Sequence, residues 1–188
     1  MEEQADAQLM LRYAAGDVRA FEELYERNRR PLWRFIKRLA GDAAATDDVF
    51  QECWSRVIGG RARYRPTARF RTWLYRIAYN CCMDHWRRSG RRAGHETMDD
   101  DAITAAADSE SSNPLEIAVA SEKSGRLNAA LLRLPDEQRL AFLLYVEGGL
   151  TVAEIAQETG TGAETAKSRL RYAVTHLKAM LGADAPAD

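Results

Sequence analysis

Two successive helix starts near the C-terminus constrain the fold of this chain more than any other feature of its sequence. Thr151 with Glu154, and Thr161 with Glu164, each place a carboxylate three residues after a hydroxyl, which is the capping-box pattern of a helix N-terminus. Gly160 stands between them, where a left-handed residue closes one helix and turns the chain into the next. The pattern predicts a helix-turn-helix.

Apolar residues at helical spacing supply the inward face of this motif and of two helices before it. For the motif they are Ile155, Ala156, Ala166, Leu170, Ala173 and Leu177. Upstream, leucines from Leu127 to Leu134 mark a helix that stops at Pro135, and apolar residues from Leu140 to Val146 mark one that stops at Gly148-Gly149. We therefore predict a helical C-terminal domain across residues 122–182.

The first half of the chain predicts a second helical bundle, across residues 8–92. Asp17 is placed to cap a helix whose apolar residues repeat as far as Leu39, and Pro31 should kink or restart it. Another helix should start at Thr46 and end at Gly59-Gly60. A third should run from Phe70 to about Arg88. Its buried stripe should be Phe70, Trp73, Leu74, Ile77 and Cys81.

Residues 93–121 separate the two bundles. They are rich in Ala, Asp and Ser, contain seven acidic residues and no lysine or arginine, and show little apolar periodicity. Such a composition is typical of a flexible linker. The predicted architecture is therefore all-α, with two small helical domains joined by a flexible acidic linker.

Charge is strongly segregated, although the formal net charge of the whole chain is only −1. From Arg61 to Arg92 the chain carries ten arginines against the single acid Asp84, and the acidic linker follows directly. A basic block of this kind favours a nucleic-acid partner.

Two predicted surfaces fit such a partner. A helix that enters the major groove needs polar side chains on its outer face, and the second helix of the helix-turn-helix has Lys167, Ser168, Arg171 and Tyr172 there. On the helix from Phe70, the residues opposite the core stripe are Tyr75, Arg76, Tyr79, Met83 and Trp86, with Asn80 at the edge. Outward-facing rings interleaved with arginine suit unstacked bases and their backbone, so we expect this face to bind single-stranded DNA. The alternative is that these rings pack against another helix of their own bundle.

A third surface, on the helix from Thr46, is acidic and polar. Its members are Asp47, Asp48, Gln51, Glu52 and Ser55. Such a face suits docking on a basic partner, although solvation alone also explains it.

Composition also bears on location and redox state. No apolar run approaches the roughly 18 residues that cross a bilayer, and the acidic N-terminus lacks the basic region of a secretory signal. We therefore expect a cytoplasmic protein with no membrane insertion. Cys53, Cys81 and Cys82 lack metal-ligand spacing and are expected to be reduced, partly buried thiols.

Three stretches, in this order, resemble a known family: DDVFQECWSRV, then FRTWLYRIAYNCCMDHWRR, then LPDEQRLAFLLYVEGGLTVAEIAQETGTGAETAKSRLRYA. They look like the second and fourth regions of the extracytoplasmic-function (ECF) sigma factors of the sigma-70 family. The resemblance covers nearly all of the chain outside the linker and both tails. Ala163, Glu164 and Ala166 depart from the usual pattern of the recognition helix, which concerns base preference and not the type of domain.

The resemblance implies a dissociable specificity subunit of RNA polymerase, built from a sigma region 2 bundle and a sigma region 4 helix-turn-helix. The first would bind core polymerase and melt the minus-ten promoter element, and the second would read the minus-thirty-five element. The implied partners are core RNA polymerase, promoter DNA in duplex and single-stranded form, and an anti-sigma factor. The linker would thread through the polymerase cleft.

The same resemblance assigns residues to each task. Core polymerase would be bound by Asp47, Asp48, Gln51 and Glu52. Melting and reading of the downstream element would fall to Arg61, Arg63, Arg65, Arg69, Tyr75, Arg76, Tyr79, Asn80, Arg87 and Arg88. The upstream element would be bound by Lys167, Ser168, Arg169, Arg171 and Tyr172, with Arg169 on phosphate.

Two other classes of protein stay open at this level. A conventional helix-turn-helix regulator that binds duplex operators as a dimer would explain the C-terminal domain, but it leaves Tyr75, Tyr79 and the basic loop unexplained. A nucleic-acid enzyme would need clustered carboxylates or a positioned nucleophile and base, whereas the histidines His85, His95 and His176 are scattered. We therefore predict no catalytic site, no metal and no cofactor.

Overall fold

The computed structural model describes residues 2–40, 43–67, 69–89 and 125–183, and the linker predicted at 93–121 lies outside these ranges. The described residues form helices joined by short turns, so the all-α prediction is confirmed. The elements in chain order are α1 Glu2–Ala14, α2 Val18–Ala40, α3 Ala43–Gly60, a 3-10 turn Arg61–Arg63, α4 Phe70–Ser89, α5 at 125–132, α6 Asp136–Val146, α7 Val152–Thr159 and α8 Ala163–Ala183.

Helices α1 to α4 pack together as the first bundle. Asp17 caps α2 as predicted, because its carboxylate accepts a hydrogen bond from the amide of Ala20 at 3.2 Å. The side chains of Phe35, Phe70 and Leu74 are fully buried and bring α2 and α4 together. Burial of such side chains contributes roughly 1.5–3 kcal/mol each, which is more than helix propensity supplies in short helices.

Two helix boundaries in this bundle differ from the sequence prediction. Helix α2 continues through Pro31, so the expected restart is wrong. A proline removes one helix hydrogen bond, but Leu32 and Phe35 in the following turn are fully buried, and their packing holds the helix together. Helix α3 begins at Ala43 and not at Thr46, whose side chain is buried within the helix.

Helix α1 has no counterpart among the predicted elements. Leu9 and Met10 are buried, and the Tyr13 ring lies 4.7 Å from the Phe21 ring of α2. These residues recur at helical spacing, which is the signal in the sequence that indicates the helix.

Helices α5 to α8 form the second bundle, in which α6 and α7 both pack on α8. The first predicted capping box is confirmed. The amide of Thr151 donates to Glu154 Oε2 at 2.8 Å, and the amide of Glu154 donates to Thr151 Oγ1 at 3.3 Å. Gly160 then takes the left-handed conformation with φ of 65°. The predicted helix-turn-helix is therefore present.

The second predicted helix start is displaced by one residue. Helix α8 begins at Ala163, so Gly162 and not Thr161 precedes it, and the amide of Ala166 donates to the Gly162 carbonyl oxygen at 3.0 Å. One apolar assignment is also wrong, because Val146 is 56% exposed at the end of α6.

Candidate nucleic-acid interface

The recognition helix α8 presents a polar stripe to solvent. Its opposite side is fixed by Ala166, Ala173 and Leu177, which are buried among the helices of the second bundle. Lys167 and Arg171 are exposed and lie one helical turn apart. The guanidinium of Arg171 lies 5.1 Å from the centre of the exposed Tyr172 ring. Ser168 is half-buried beside them.

Arg169 points back toward the second bundle, away from the exposed stripe. Its Nη2 donates to Glu137 Oε2 of α6 at 2.5 Å, and the side chain is only 22% exposed. His176 makes a second polar link between α8 and α6, with its Nδ1 3.0 Å from Gln138 Oε1. These two contacts hold α8 against α6, so a phosphate bound by Arg169 has to share the guanidinium with Glu137.

The loop between α3 and α4 carries exposed arginines and is anchored to the bundle by one buried side chain. The anchor is Tyr64, which is buried with its ring 4.9 Å from that of Trp73. The exposed arginines of the loop are Arg61, Arg63, Arg65 and Arg69. Arg65 donates to the Tyr64 carbonyl oxygen at 2.9 Å, which orders the loop at its centre. The loop therefore offers several positive charges beside an ordered ring.

An open groove of about 420 Å³ runs beside this loop. Among the residues that line it are Trp73 and Ile77, and both are half-buried. The predicted core stripe of α4 is thus correct for Phe70, Leu74 and Cys81, which are fully buried, and incomplete for the two residues at the groove.

The opposite face of α4 is covered, where the sequence predicted exposure. Tyr75 is 1% exposed and Tyr79 is 6% exposed, so the expectation that these rings face outward is wrong for this arrangement. The Tyr75 ring lies 4.7 Å from that of Phe35 in α2. Burial raises the pKa of Tyr75 to about 12, and it also raises the pKa of Tyr79. Trp86 is buried as well, whereas Asn80 at the edge is exposed.

Part of this cover comes from the second bundle. Thr72 Oγ1 donates to the Gly148 carbonyl oxygen in the α6–α7 turn at 3.2 Å. Arg76 donates through Nη2 to Glu154 Oε1 of α7 at 2.8 Å, and its Nε lies 3.3 Å from Glu158 Oε1. The α4 face, defined as Thr72, Tyr75, Arg76 and Tyr79, therefore meets the turn and the first helix of the helix-turn-helix.

Glu147 extends this contact to α2. Its carboxylate pairs with Arg38, which also donates to Asn128 Oδ1 of α5 at 2.9 Å. The Glu147 carbonyl oxygen accepts from Arg71 Nε at 2.5 Å. Burial raises the pKa of Glu147 although the Arg38 charge acts in the opposite direction. Sequence reasoning missed Arg38, Glu147 and Glu158 because these partners lie far apart in the chain.

The acidic face of α3 is accessible, as predicted for a docking surface. Asp47, Asp48 and Gln51 are exposed, and Glu52 is half-buried. Asp47 Oδ1 accepts a hydrogen bond from Trp33 Nε1 at 3.0 Å, and Glu52 Oε1 accepts from Arg56 Nε at 2.9 Å.

One arginine predicted for DNA melting joins this acidic face. An open cleft of about 510 Å³ between α3 and α4 is lined by Asp48, Gln51, Glu52, Ser55, His85 and Arg88. Arg88 therefore lies next to the predicted polymerase-binding residues and not with Tyr75, because at about 100° per residue the two point to different sides of α4. Arg87 is exposed and pairs with Asp84 at 2.8 Å.

Cys53, Cys81 and Cys82 are free thiols, and all three are buried. Within the described ranges no three side chains of the metal-binding types come together. The helices described here include none with both the length and the apolar character that a bilayer span requires.

Two family models match the chain in the order of its bundles. The model of Sigma-70 region 2 matches residues 24–92, and that of Sigma-70 region 4 matches residues 124–177. The ECF RNA polymerase sigma factor SigM of Mycobacterium tuberculosis is 32% identical over 180 residues, which cover 96% of this chain and 86% of SigM. The chain belongs to the ECF sigma factors of the sigma-70 family. The family predicted from the sequence is thereby confirmed.

Other relatives of this sigma factor agree. SigL of Mycobacterium tuberculosis is 35% identical over 174 residues, covering 89% of this chain and 92% of SigL. Among solved structures, CnrH in complex with the cytosolic domain of CnrY has a TM-score of 0.60 at 25% identity, covering 96% of this chain and 99% of CnrH. RpoE from Bartonella quintana, in complex with the anti-sigma factor NepR, shares the fold with a TM-score of 0.64 at 21% identity, covering 88% and 98%.

Proposed function

We propose that this sigma factor binds core polymerase through the acidic face of α3 and guides it to promoters through two DNA contacts. Helix α8 reads the upstream element as duplex, and α4 with the basic loop captures the melted downstream element. The exposed stripe of Lys167, Arg171 and Tyr172 carries the proposal, because a cap and a left-handed glycine position it on a helix-turn-helix.

We propose for each group of residues the role that the family resemblance implied. Duplex contacts fall to Lys167, Ser168, Arg171 and Tyr172, with Arg169 on phosphate while it shares Glu137. Strand capture falls to Arg61, Arg63, Arg65, Arg69, Tyr75, Arg76, Tyr79, Asn80, Arg87 and Arg88. Core polymerase is bound by Asp47, Asp48, Gln51 and Glu52, next to which Arg88 also lies.

Strand capture supplies part of the energy of promoter opening. Unstacking costs a few kcal/mol per base step, and stacking on an aromatic side chain returns about 1–3 kcal/mol per base. Tyr75 and Tyr79 are buried in the free chain, and the Tyr75 ring packs against Phe35 of its own bundle, so strand capture requires a rearrangement within the first bundle as well as separation of the two bundles. Core polymerase, bound through the acidic face of α3, supplies the remaining energy.

The protein acts without catalytic chemistry, in the cytoplasm, where core polymerase and the chromosome are. An anti-sigma factor is a further proposed partner. Two structural neighbours support it, since CnrH was solved with the cytosolic domain of CnrY and RpoE with the anti-sigma factor NepR.

A run-off transcription assay with core polymerase and a promoter library tests this function. The informative variant is Tyr75→Leu with Tyr79→Leu, which removes both rings but keeps apolar side chains at buried positions. We expect open-complex formation to fall by at least about fivefold, because stacking of one base is worth about 1–3 kcal/mol and the variant removes two rings. Retention on immobilised core polymerase should be unchanged.

Tyr145→Leu is the matched control, since Tyr145 is 48% exposed on α6 and belongs to none of the proposed surfaces. It should transcribe like the unmodified protein. The proposal is wrong if the unmodified protein binds duplex DNA tightly by itself and never co-purifies with core polymerase. That result would identify a conventional duplex-binding regulator.

A further inference from the structure

The open cleft between α3 and α4 carries charges of both signs. Its α3 wall consists of Asp48, Gln51, Glu52 and Ser55, and its α4 wall consists of His85 and Arg88. We infer that Arg88 completes the polymerase-binding surface, so that core polymerase docks with a basic side chain against the α3 wall and an acidic one against the α4 wall. The inference rests on the proposed function of the acidic face of α3. It adds a protein partner for Arg88.

Two charged side chains of opposite sign line this cleft without pairing with each other. Asp48 and Arg88 are both exposed, and neither forms an ion pair with any other residue that the structure describes. Opposite charges held apart on two walls are complementary to a partner that presents the reverse arrangement of charge. A partner that is basic throughout would satisfy Asp48 and would be repelled by Arg88.

An ion-pair network holds the two walls in place. Arg56 of α3 donates through Nε to Glu52 Oε1 at 2.9 Å and through Nη2 to Asp84 Oδ2 of α4 at 2.8 Å. The hydrogen bond from Arg56 lowers the pKa of Asp84, so this carboxylate stays charged at neutral pH. The cleft is therefore already shaped in the free chain, which reduces the cost of ordering its walls when a partner binds.

Arg88 differs from its neighbour Arg87 in what surrounds it. Arg87 donates to Asp84 Oδ1 at 2.8 Å and so joins the ion-pair network. Arg88 instead lines the cleft, and His85, three residues earlier on the same side of α4, is half-buried beside it. A guanidinium offers planar donors that match a carboxylate, and the imidazole adds one further hydrogen-bonding group. The α4 wall therefore suits an acidic side chain.

A protein surface fits this cleft better than a nucleic acid does. Phosphate groups are negative along a whole strand, so a strand held by Arg88 would lie opposite the carboxylates of Asp48 and Glu52. A protein can present both signs of charge on one face. Core polymerase is the partner to which we commit, because the α3 wall is formed by residues already proposed to bind it.

The test removes single charges from the full-length chain and measures binding to core polymerase in the absence of DNA. Arg88→Gln changes the α4 wall, and Asp48→Asn changes the α3 wall. Arg133→Gln removes one positive charge at an exposed position of the second bundle and controls for net charge. The dissociation constant is measured at low and at raised salt, by fluorescence anisotropy of the labelled sigma factor.

We expect Arg88→Gln and Asp48→Asn each to raise the dissociation constant about three- to tenfold at low salt, because each removes one charge pair of the interface. The difference from the unmodified protein should shrink at raised salt, where charge pairs are screened. Arg88→Lys keeps the charge and loses the planar donors, so it should recover part of the binding. Arg133→Gln should bind like the unmodified protein.

The inference is overturned if Arg88→Gln and Arg133→Gln bind core polymerase equally. If Asp48→Asn still weakens binding in that case, the proposed function stands and α4 takes no part in docking. A loss in Arg88→Gln without one in Asp48→Asn contradicts the two-walled cleft. If neither variant weakens binding, core polymerase does not dock here, and the proposed role of the acidic face of α3 fails together with the inference.

Discussion

Gly148 lies in the α6–α7 turn where the backbone of the second bundle approaches α4. A Cβ atom built there would lie 2.6 Å from the Leu144 carbonyl oxygen, 2.8 Å from Leu150 Cδ1 and 3.3 Å from Tyr75 Cβ. The first two contacts are within the second bundle, and the third is with α4. A single methyl group at this position therefore disturbs the turn and the contact between bundles together.

Gly148→Ala should accordingly destabilise the protein by about 1–3 kcal/mol, the usual cost of overpacking a filled site. The measurement is chemical denaturation followed by circular dichroism. Gly59→Ala is the matched control, because a Cβ at Gly59 meets nothing within 4 Å and lies in helix α3. That control should stabilise the protein by about 0.5–1 kcal/mol, since alanine is the better helix former. Equal effects of the two changes would contradict the close approach.

Thr151 is the second residue whose role is local and measurable. It makes both hydrogen bonds of the capping box with Glu154, so Thr151→Ala should cost about 0.5–2 kcal/mol in the free energy of unfolding. Thr161→Ala is the matched control and should cost less, because Gly162 precedes α8. If Thr161→Ala costs as much free energy of unfolding as Thr151→Ala, Thr161 also caps its helix and the second predicted capping box is present.

The same cap has a pH dependence with a defined sign. The hydrogen bond from the Thr151 amide lowers the pKa of Glu154 below its ordinary value of 4.5. A lowered pKa in the folded state gives stability that is present above pH 4.5 and is lost as the pH falls through the lowered value. Denaturation midpoints of Glu154→Gln should therefore change less than those of the unmodified protein as the pH falls from 4.5 through the lowered pKa of Glu154. A larger acid loss in the variant would contradict this assignment.

At the scale of helices, α4 is the element for which sequence and structure differ most. Its length and the burial of Phe70, Leu74 and Cys81 follow from apolar periodicity, and the structure agrees with both. Periodicity also separates Tyr75 and Tyr79 from that stripe, but it cannot say what covers a second apolar face. The covering groups are Phe35 and the α6–α7 turn, and no local pattern links either to α4.

Helix α8 shows the opposite case, in which the sequence alone predicted the exposed stripe. Lys167→Ala and Arg171→Ala should each weaken binding of a selected promoter fragment by about 1–3 kcal/mol if the side chain contacts a base. Retention on core polymerase should not change. Arg133→Ala, which removes an exposed arginine after α5, is the matched control. Equal losses for all three variants would indicate general attraction to DNA in place of reading by α8.

At the scale of the whole molecule, the order of the bundles and the all-α class could be predicted from caps, glycines and apolar spacing. The contact between bundles could not, because Arg38 and Glu147, or Arg76 and Glu158, carry no mark in the sequence that pairs them. The segregated charge did indicate that the first bundle binds anionic groups. In the free chain some of these groups are carboxylates of the second bundle, which pair with Arg38 and Arg76 and which a count of charges along the sequence does not reveal.

The buried carboxylate at this contact makes the arrangement of the bundles depend on pH. Burial raises the pKa of Glu147 where the two bundles are in contact, against the charges of Arg38 and Arg34 on α2 and of Arg71 on α4, which stay positive throughout. Protonated Glu147 therefore favours contact between the bundles. Its contribution is fully present below the ordinary carboxyl value of 4.5 and is lost as the pH rises through the raised value.

The radius of gyration from small-angle scattering should consequently increase from pH 4.5 toward neutral pH. Glu147→Gln, which is neutral at every pH, should show no such increase. A protein that instead contracts as the pH rises, or a variant that expands like the unmodified chain, would show that Glu147 does not control the contact.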